Sequence, residues 1–245
     1  MSIYAISDLH GCYEEFMEML ELIKFDPKTD KLYILGDVVD RGDRSLECLQ
    51  YIMRTKSIHL LQGNHEVLML DYFADPVSGA ERWFRNGGRA TLEQMNNLSE
   101  PEQESILEYL RKLPFYKTIN VNGRKFFLSH AGLDASVSFS RQTSRDLTWS
   151  RKEFYGHPAL RNYITVFGHT PTPYIWDELG DSDNCSVWVD TTHLDKICID
   201  SGCYYKGALA ALRLDDGAVY YVRSSRNDGE YSYSTDNPAL RSLFQ

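Results

Sequence analysis

Five short apolar runs, each followed at once by a polar motif, constrain this chain more than any other feature. The runs are Ile3-Tyr4-Ala5-Ile6, Leu32-Tyr33-Ile34-Leu35, Ile58-His59-Leu60-Leu61, Phe126-Phe127-Leu128 and Ile164-Thr165-Val166-Phe167. They are bounded by turn residues and rich in β-branched and aromatic side chains, so they read as buried strands. Directly behind them stand Asp8 and His10, then Asp37, Asp40 and Arg41, then Asn64 and His65, then His130, then His169. Loops leaving the carboxyl ends of strands in α/β sheets meet in one crevice, which lets residues far apart in sequence converge on one ligand.

Segments of helical period lie between the early strands: Phe16, Leu20 and Ile23; Leu46, Leu49 and Met53; Ile106, Leu107, Leu110 and Leu113. Ser99 followed by Glu102 predicts a capping box, with Pro101 in a first turn where a missing N–H is tolerated. The first half is expected to alternate strand and helix. From about Phe115 strands predominate, with a hairpin of Ala208 to Leu214 and Val219 to Arg223 around Asp215-Asp216-Gly217-Ala218. Mixed or antiparallel sheet is expected there. The stretch 224–245 is polar and rich in Tyr and Ser, which predicts a loosely packed tail.

With 245 residues and no Pro/Gly/Ser-rich linker, residues 1–245 are expected to form a single domain. A formal charge of −9, with no basic run, argues against nucleic acid as a partner, because such a surface repels polyanions. Neither a secretory leader nor a membrane-spanning run is evident, so a cytoplasmic location and no membrane association are expected. The five cysteines include no C-x-x-C pair and are read as reduced, buried thiols.

Aspartate, asparagine and histidine supply oxygen and imidazole donors without thiolate, a set suited to Mn²⁺ first, with Fe or Zn²⁺ as alternatives. The number of donors implies two divalent metal ions. Asp8 and His10 are read as ligands of one, Asn64, His130 and His169 as ligands of the other, and Asp37 as the bridge. Metals about 3.5–4 Å apart can bind both oxygens of a phosphoryl group. Taken singly, Asp8 or Asp37 reads equally well as a helix cap, Asn64 as a turn residue and either histidine as a buried hydrogen-bonding group. The ordered set is what argues for metal.

The segments Asp8-Leu9-His10-Gly11, Gly36-Asp37-Val38-Val39-Asp40-Arg41-Gly42, Gly63-Asn64-His65-Glu66, His130-Ala131-Gly132 and Gly168-His169 resemble, in order, the motifs of the PPP family of metallophosphatases. Within it, the serine/threonine protein phosphatases of the small bacterial and phage type are the nearest match, from Ile3 through the Asp200-Ser201-Gly202 region. Ser7 departs from the glycine usual before the first aspartate. The resemblance implies a mixed α/β fold of the metallophosphoesterase type, a central β-sandwich flanked by helices. It also implies a phosphoprotein phosphatase that attacks phosphoserine or phosphothreonine, and in some members phosphotyrosine, with a metal-bridging hydroxide. Arg151 resembles the second phosphate-binding arginine, beside the alternative of a solvated surface charge.

His65 is placed to protonate the leaving oxygen and Asp40 to orient its imidazole, while Arg41 offers a planar fork of donors to phosphate. The expected partner is a phosphorylated protein or peptide; the oligomeric state is not legible, and a monomer is the working expectation. Diadenosine tetraphosphate hydrolases share most of these motifs, and the symmetrically cleaving type resembles a pattern with alanine in place of Asp40, so Asp40 favours the phosphatase. A nuclease conflicts with the acidic surface, and a non-catalytic module that grips a phosphorylated ligand would be signalled by loss of a ligand or of the acid. His59 and His157 are read as packing or loop histidines, His193 with Asp195 as a polar stretch behind no strand, and Asp200 as a turn residue that would at most support a ligating histidine.

Overall fold

The structure is a computed structural model that describes residues 1–160 and 162–245. The strands are β1 (Ile3–Ile6), β2 (Lys31–Ile34), β3 (Ile58–Leu60), β4 (Tyr116–Val121), β5 (Arg124–Ser129), β6 (Ile164–Phe167), β7 (Trp188–Val189), β8 (Lys196–Cys198), β9 (Ala208–Arg213) and β10 (Val219–Arg223). They form two five-stranded sheets, ordered β10-β9-β1-β2-β3 and β4-β5-β6-β8-β7. Each sheet holds a parallel triplet, β1-β2-β3 in one and β5-β6-β8 in the other, with antiparallel strands at its flanks.

Strand periodicity explains the layering. In β1, Ile3 and Ala5 point into an apolar cluster shared by both sheets, while Tyr4 and Ile6 point the other way, against helices. A strand covered on both faces reads as an unbroken apolar run, which is why β1 and β6 were visible, while β3 buries Ile58 and Leu60 and exposes His59 between them. The inter-sheet cluster includes Leu35, Phe126, Leu128, Val166, Ile197, Ala210 and Leu212. Helices α1 (Tyr13–Leu22), α2 (Ser45–Arg54), α3 (Asn64–Ala74), α4 (Pro76–Arg85), α5 (Arg89–Asn96) and α6 (Glu100–Arg111) gather on the outer side of the first sheet. The second sheet is covered through Leu147, Phe154 and Ile175 of α7 (Ser144–Trp149), α8 (Lys152–Tyr155) and α9 (Thr172–Glu178). The result is the mixed α/β sandwich the motifs implied.

Two expectations are corrected. Strand and helix do not alternate through the whole first half: α3 to α6 follow one another without a strand. Their apolar residues were visible, but Asn86-Gly87-Gly88 and the acidic surface positions obscured the helical period around them. The tail is not loosely packed either. It ends in α10 (Pro238–Phe244), whose Leu240 and Phe244 enter the inter-sheet cluster, with the Phe244 ring stacked 5.9 Å from that of Phe126. Asn237 caps this helix by accepting from Ala239 and Leu240 N–H groups, a signal that the polar average of the segment concealed. The Ser99/Glu102 capping box is present as expected, Glu102 accepting from the Ser99 N–H at 2.9 Å.

Candidate metal centre

Six loops leave the carboxyl ends of the two parallel triplets and meet over one edge of the sandwich, carrying Asp8, Asp37, Asn64, His130, His169 and Asp200. The first two loops are zipped together by backbone: the His10 N–H donates to Asp37 O at 2.9 Å, Gly11 N–H to Val38 O at 3.0 Å, and Gly42 N–H to His10 O at 3.1 Å. Glu66 ties the second loop to the third, its carboxylate accepting from the N–H groups of Asp37, Val38 and Gly63 at 2.8–2.9 Å. This requires glycine at position 63, since a Cβ there would lie 2.3 Å from Asp37 Oδ1. Eleven described non-glycine residues have left-handed φ, and six of them are Asp8, His10, Asp37, Asp40, Arg41 and His169. Strain concentrated in this way marks a functional site, because the surrounding structure has to hold each residue there.

The donor atoms fall into two groups that share one residue. His10, Asp37 and His65 place ligand atoms within 4.8 Å of one another, and so do Asp37, His130 and His169. Asn64 Oδ1 lies 2.8 Å from His130 Nε2, and His169 Nδ1 3.2 Å from it. Asp8 accepts from the His169 backbone N–H at 3.1 Å and from the Ser7 hydroxyl, so Ser7 supports this carboxylate.

Every one of these donors is buried. Burial would raise the Asp37 carboxyl, but the His130 and His65 rings hold it well below the usual carboxylate range. Burial likewise would depress His130, and Asp37 reverses this, pushing it up to about 9. Burial pushes His10 and His169 well below the usual imidazole range, with Arg41 adding to the first and His130 to the second. Burial and the Asp8 charge drive Asp200 well above its usual value. Among the described residues His169 Nε2 has no hydrogen-bond partner. Buried carboxylates beside imidazoles, with His10 and His169 held in the neutral form and a ring nitrogen of His169 orphaned, form a donor set suited to cations: Asp8, His10, Asp37, Asn64, His130 and His169 can hold two divalent metals, with Asp37 in common.

His65 and Asp40 form the second element. His65 Nδ1 is 2.7 Å from Asp40 Oδ2, both fully buried, and Trp83 Nε1–H donates to both Asp40 oxygens at 2.9 and 3.0 Å. The Asp40 backbone N–H donates to Thr91 Oγ1 at 2.8 Å. The Arg41 guanidinium contacts His10 Nε2 and lies 3.0 Å from His65 Nε2. The Asn86-Gly87-Gly88 turn has a use here, its Gly87 carbonyl accepting the Arg41 N–H at 3.1 Å. Arg151 lines the same cleft although its side chain is exposed.

Sequence reasoning underrated Asp200 and gave no role to Glu66, Trp83 or Thr91. Glu66 directly follows Asn64 and His65, and that adjacency was the available signal; Trp83 and Thr91 lie in helices with no motif of their own. His193 and Asp195 sit away from this cleft, beside Asp190 and Lys196.

A family model for the calcineurin-like phosphoesterases matches residues 1–206. The chain is 27% identical over 220 residues to a serine/threonine-protein phosphatase 2 of Salmonella typhimurium, covering 86% of this chain and 92% of that protein. It is 28% identical to a symmetrical bis(5'-nucleosyl)-tetraphosphatase of Nitrosospira multiformis, covering 90% and 95%. The fold is also similar to that of a protein serine/threonine phosphatase of Saccharomyces cerevisiae, with a TM-score of 0.59 at 17% identity over 97% of this chain and 81% of that one. No helix among the described residues is long and apolar enough to cross a membrane. Convergent loops, a shared aspartate between two donor groups and a match over most of its length place this chain in the calcineurin-like phosphoesterase family of metal-dependent hydrolases.

Proposed function

We propose that this chain dephosphorylates phosphoserine and phosphothreonine in proteins, with Mn²⁺ as its metal. Two such ions, held by Asp8, His10, Asp37, Asn64, His130 and His169, would supply a water ionised near neutral pH and positive charge for the phosphoryl oxygens. Arg41, aided by Arg151 at the rim, binds those oxygens through paired N–H donors. His65, whose Nε2 lies 3.0 Å from the Arg41 guanidinium and 3.8 Å from Asp37 Oδ2, gives its proton to the leaving oxygen, while Asp40 fixes the ring through Nδ1.

The buried Asp40–His65 pair, locked by Trp83, carries this reading. A serine or threonine alkoxide is a poor leaving group and needs a proton, so a dedicated acid contributes most with such substrates, about 10²–10⁴-fold. A nucleotide leaving from an anhydride is stabilised by its own phosphates and needs that proton less. Hydrolysis of dinucleoside polyphosphates is the second reading, favoured by the Nitrosospira relative.

Phosphate and nucleotide release with Mn²⁺ distinguishes them, comparing phosphoserine and phosphothreonine peptides with diadenosine tetraphosphate and using Asp8→Ala to exclude contamination. Faster peptide turnover is expected. Preferential dinucleotide cleavage would replace the substrate and leave the metal site in place.

A further inference from the structure

The metal cleft does not end at the metal ligands. Its outer wall is formed by Tyr174, Tyr204 and Tyr205, and the same three residues begin a second groove of about 630 Å³ that continues past Lys206, Arg226 and Tyr231. Seven large hydrophobic side chains among the described residues are exposed, and Tyr174 at 57% and Tyr205 at 41% are the two that line the cleft. The other five are scattered singly and need no explanation.

The backbone builds this wall deliberately. Tyr204 and Tyr205 sit in a short 3₁₀ turn, Cys203–Tyr205, with left-handed residues on both sides, Gly202 at φ 71° and Lys206 at φ 72°. Lysine is a costly choice for that conformation. Ion pairs from Lys206 to Asp228 at 3.0 Å and Glu230 at 3.4 Å hold it there. The Tyr204 ring stands edge-on to His10 with centroids 6.4 Å apart, and edge-on to Tyr205 at 5.5 Å. Arg41, which would grip the phosphoryl oxygens, lies 5.0 Å over the Tyr205 ring. Tyr205 therefore stands next to the position of the phosphate, within reach of the group that the phosphate would carry.

Resting on the reading of this site as a phosphoesterase, and extending it beyond serine and threonine leaving groups, we propose that Tyr174, Tyr204 and Tyr205 form a leaving-group shelf on which a planar aromatic ring attached to or near the scissile phosphate stacks. Ring faces stack on any π surface without reading its edge, so the shelf takes a phenol ring or a nucleobase alike. A serine or threonine leaving group presents methylene and amide groups and gains less from it.

The experiment measures kcat/KM on a phosphotyrosine peptide, a phosphoserine peptide of the same sequence and diadenosine tetraphosphate. The proteins are wild type, Tyr174→Ala, Tyr205→Ala, and the ring-keeping Tyr174→Phe and Tyr205→Phe. Each alanine variant should lower the ratio of aromatic to phosphoserine kcat/KM by about tenfold, the scale of one lost stacking partner, and each phenylalanine variant should restore it. Loss of the ratio for the peptide alone assigns the shelf to phosphotyrosine, and for the dinucleotide alone to a nucleobase. An equal fall on all three substrates would overturn the shelf while leaving the phosphoesterase reading standing. No hydrolysis of any of them by wild-type protein would overturn both.

Discussion

Two clusters among the described residues bring histidine and carboxylate donors within 4.8 Å of one another, one of them built from two groups that share Asp37, and they do opposite things with the charge. In one, Asp190, His193 and Asp195 surround Lys196, whose ammonium group is fully buried and lies 2.6 Å from an oxygen of each aspartate and 2.7 Å from the His157 carbonyl. In the other, Asp8, Asp37 and Asp200 are buried with four histidines, and among the described residues no lysine or arginine pairs with any of the three carboxylates. Burying a charge without a partner costs several kcal/mol. The first cluster carries its own lysine and is structural; the second sets only the His130 ring, held up by Asp37, against its carboxylates and leaves their remaining donor atoms for cations from outside. Donor type and spacing alone do not separate a metal site from a buried ion pair: the position of the lysine does.

The largest test of this contrast is Asp37→Ala against His193→Ala. Removing the carboxylate shared by both donor groups should lower metal content from two per chain and reduce turnover by more than the roughly 10²–10⁴ attributable to proton transfer alone. Metal content of His193→Ala should match wild type, as read by elemental analysis after dialysis. A metal lost from both would erase the distinction.

Next in size, His65→Asn should keep both metals and lose about 10²–10⁴ in kcat on phosphoserine, with a smaller loss on activated aryl phosphates, which need little protonation. Equal losses on the two substrates would show that His65 is not the acid.

Lys196→Met examines the other cluster. It leaves two carboxylates without their cation and should cost about 3–5 kcal/mol in urea unfolding, with metal content unchanged. The pH dependence sharpens the point. Burial would raise Asp190, yet hydrogen bonds from Lys196, His193 and the Thr192 N–H hold it down at about 2, against 3.8 ordinarily. A carboxyl depressed on folding stabilises the folded state fully above its unfolded value, and that contribution disappears as pH falls from about 4 to about 2. Acid unfolding of wild type should steepen in that window, and the variant should lose this component.

The smallest effect is expected for Arg41→Ala: a KM rise of about ten- to a hundredfold, the scale of a charge-assisted hydrogen bond, with metal stoichiometry intact. Collapse of the metal content would make Arg41 a structural residue.

The strands that bear the motifs were legible because they are buried on both faces, which makes Ile3–Ile6 and Ile164–Phe167 continuous apolar runs. The candidate metal ligands Asp8, His10, Asp37, Asn64, His130 and His169 were legible because each sits within four residues of such a run. What remained hidden depends on contacts between distant segments. Trp83 reaches Asp40 across 43 positions, and nothing in its own helix announces a catalytic partner. Asp200 looked like a turn residue because its distinguishing feature is the Asp8 charge beside it, which only the fold supplies. Phe244 reads as one aromatic in a polar tail until Phe126 is seen beneath it.

The central claim is that this centre requires two cations that the chain itself does not provide. Isothermal titration of Mn²⁺ into chelator-treated protein tests it most directly, with Asp37→Ala alongside. The account predicts two ions per wild-type chain, with phosphoserine peptide turnover rising as they bind and the variant taking up fewer. Undiminished turnover by protein shown to hold no metal would contradict it.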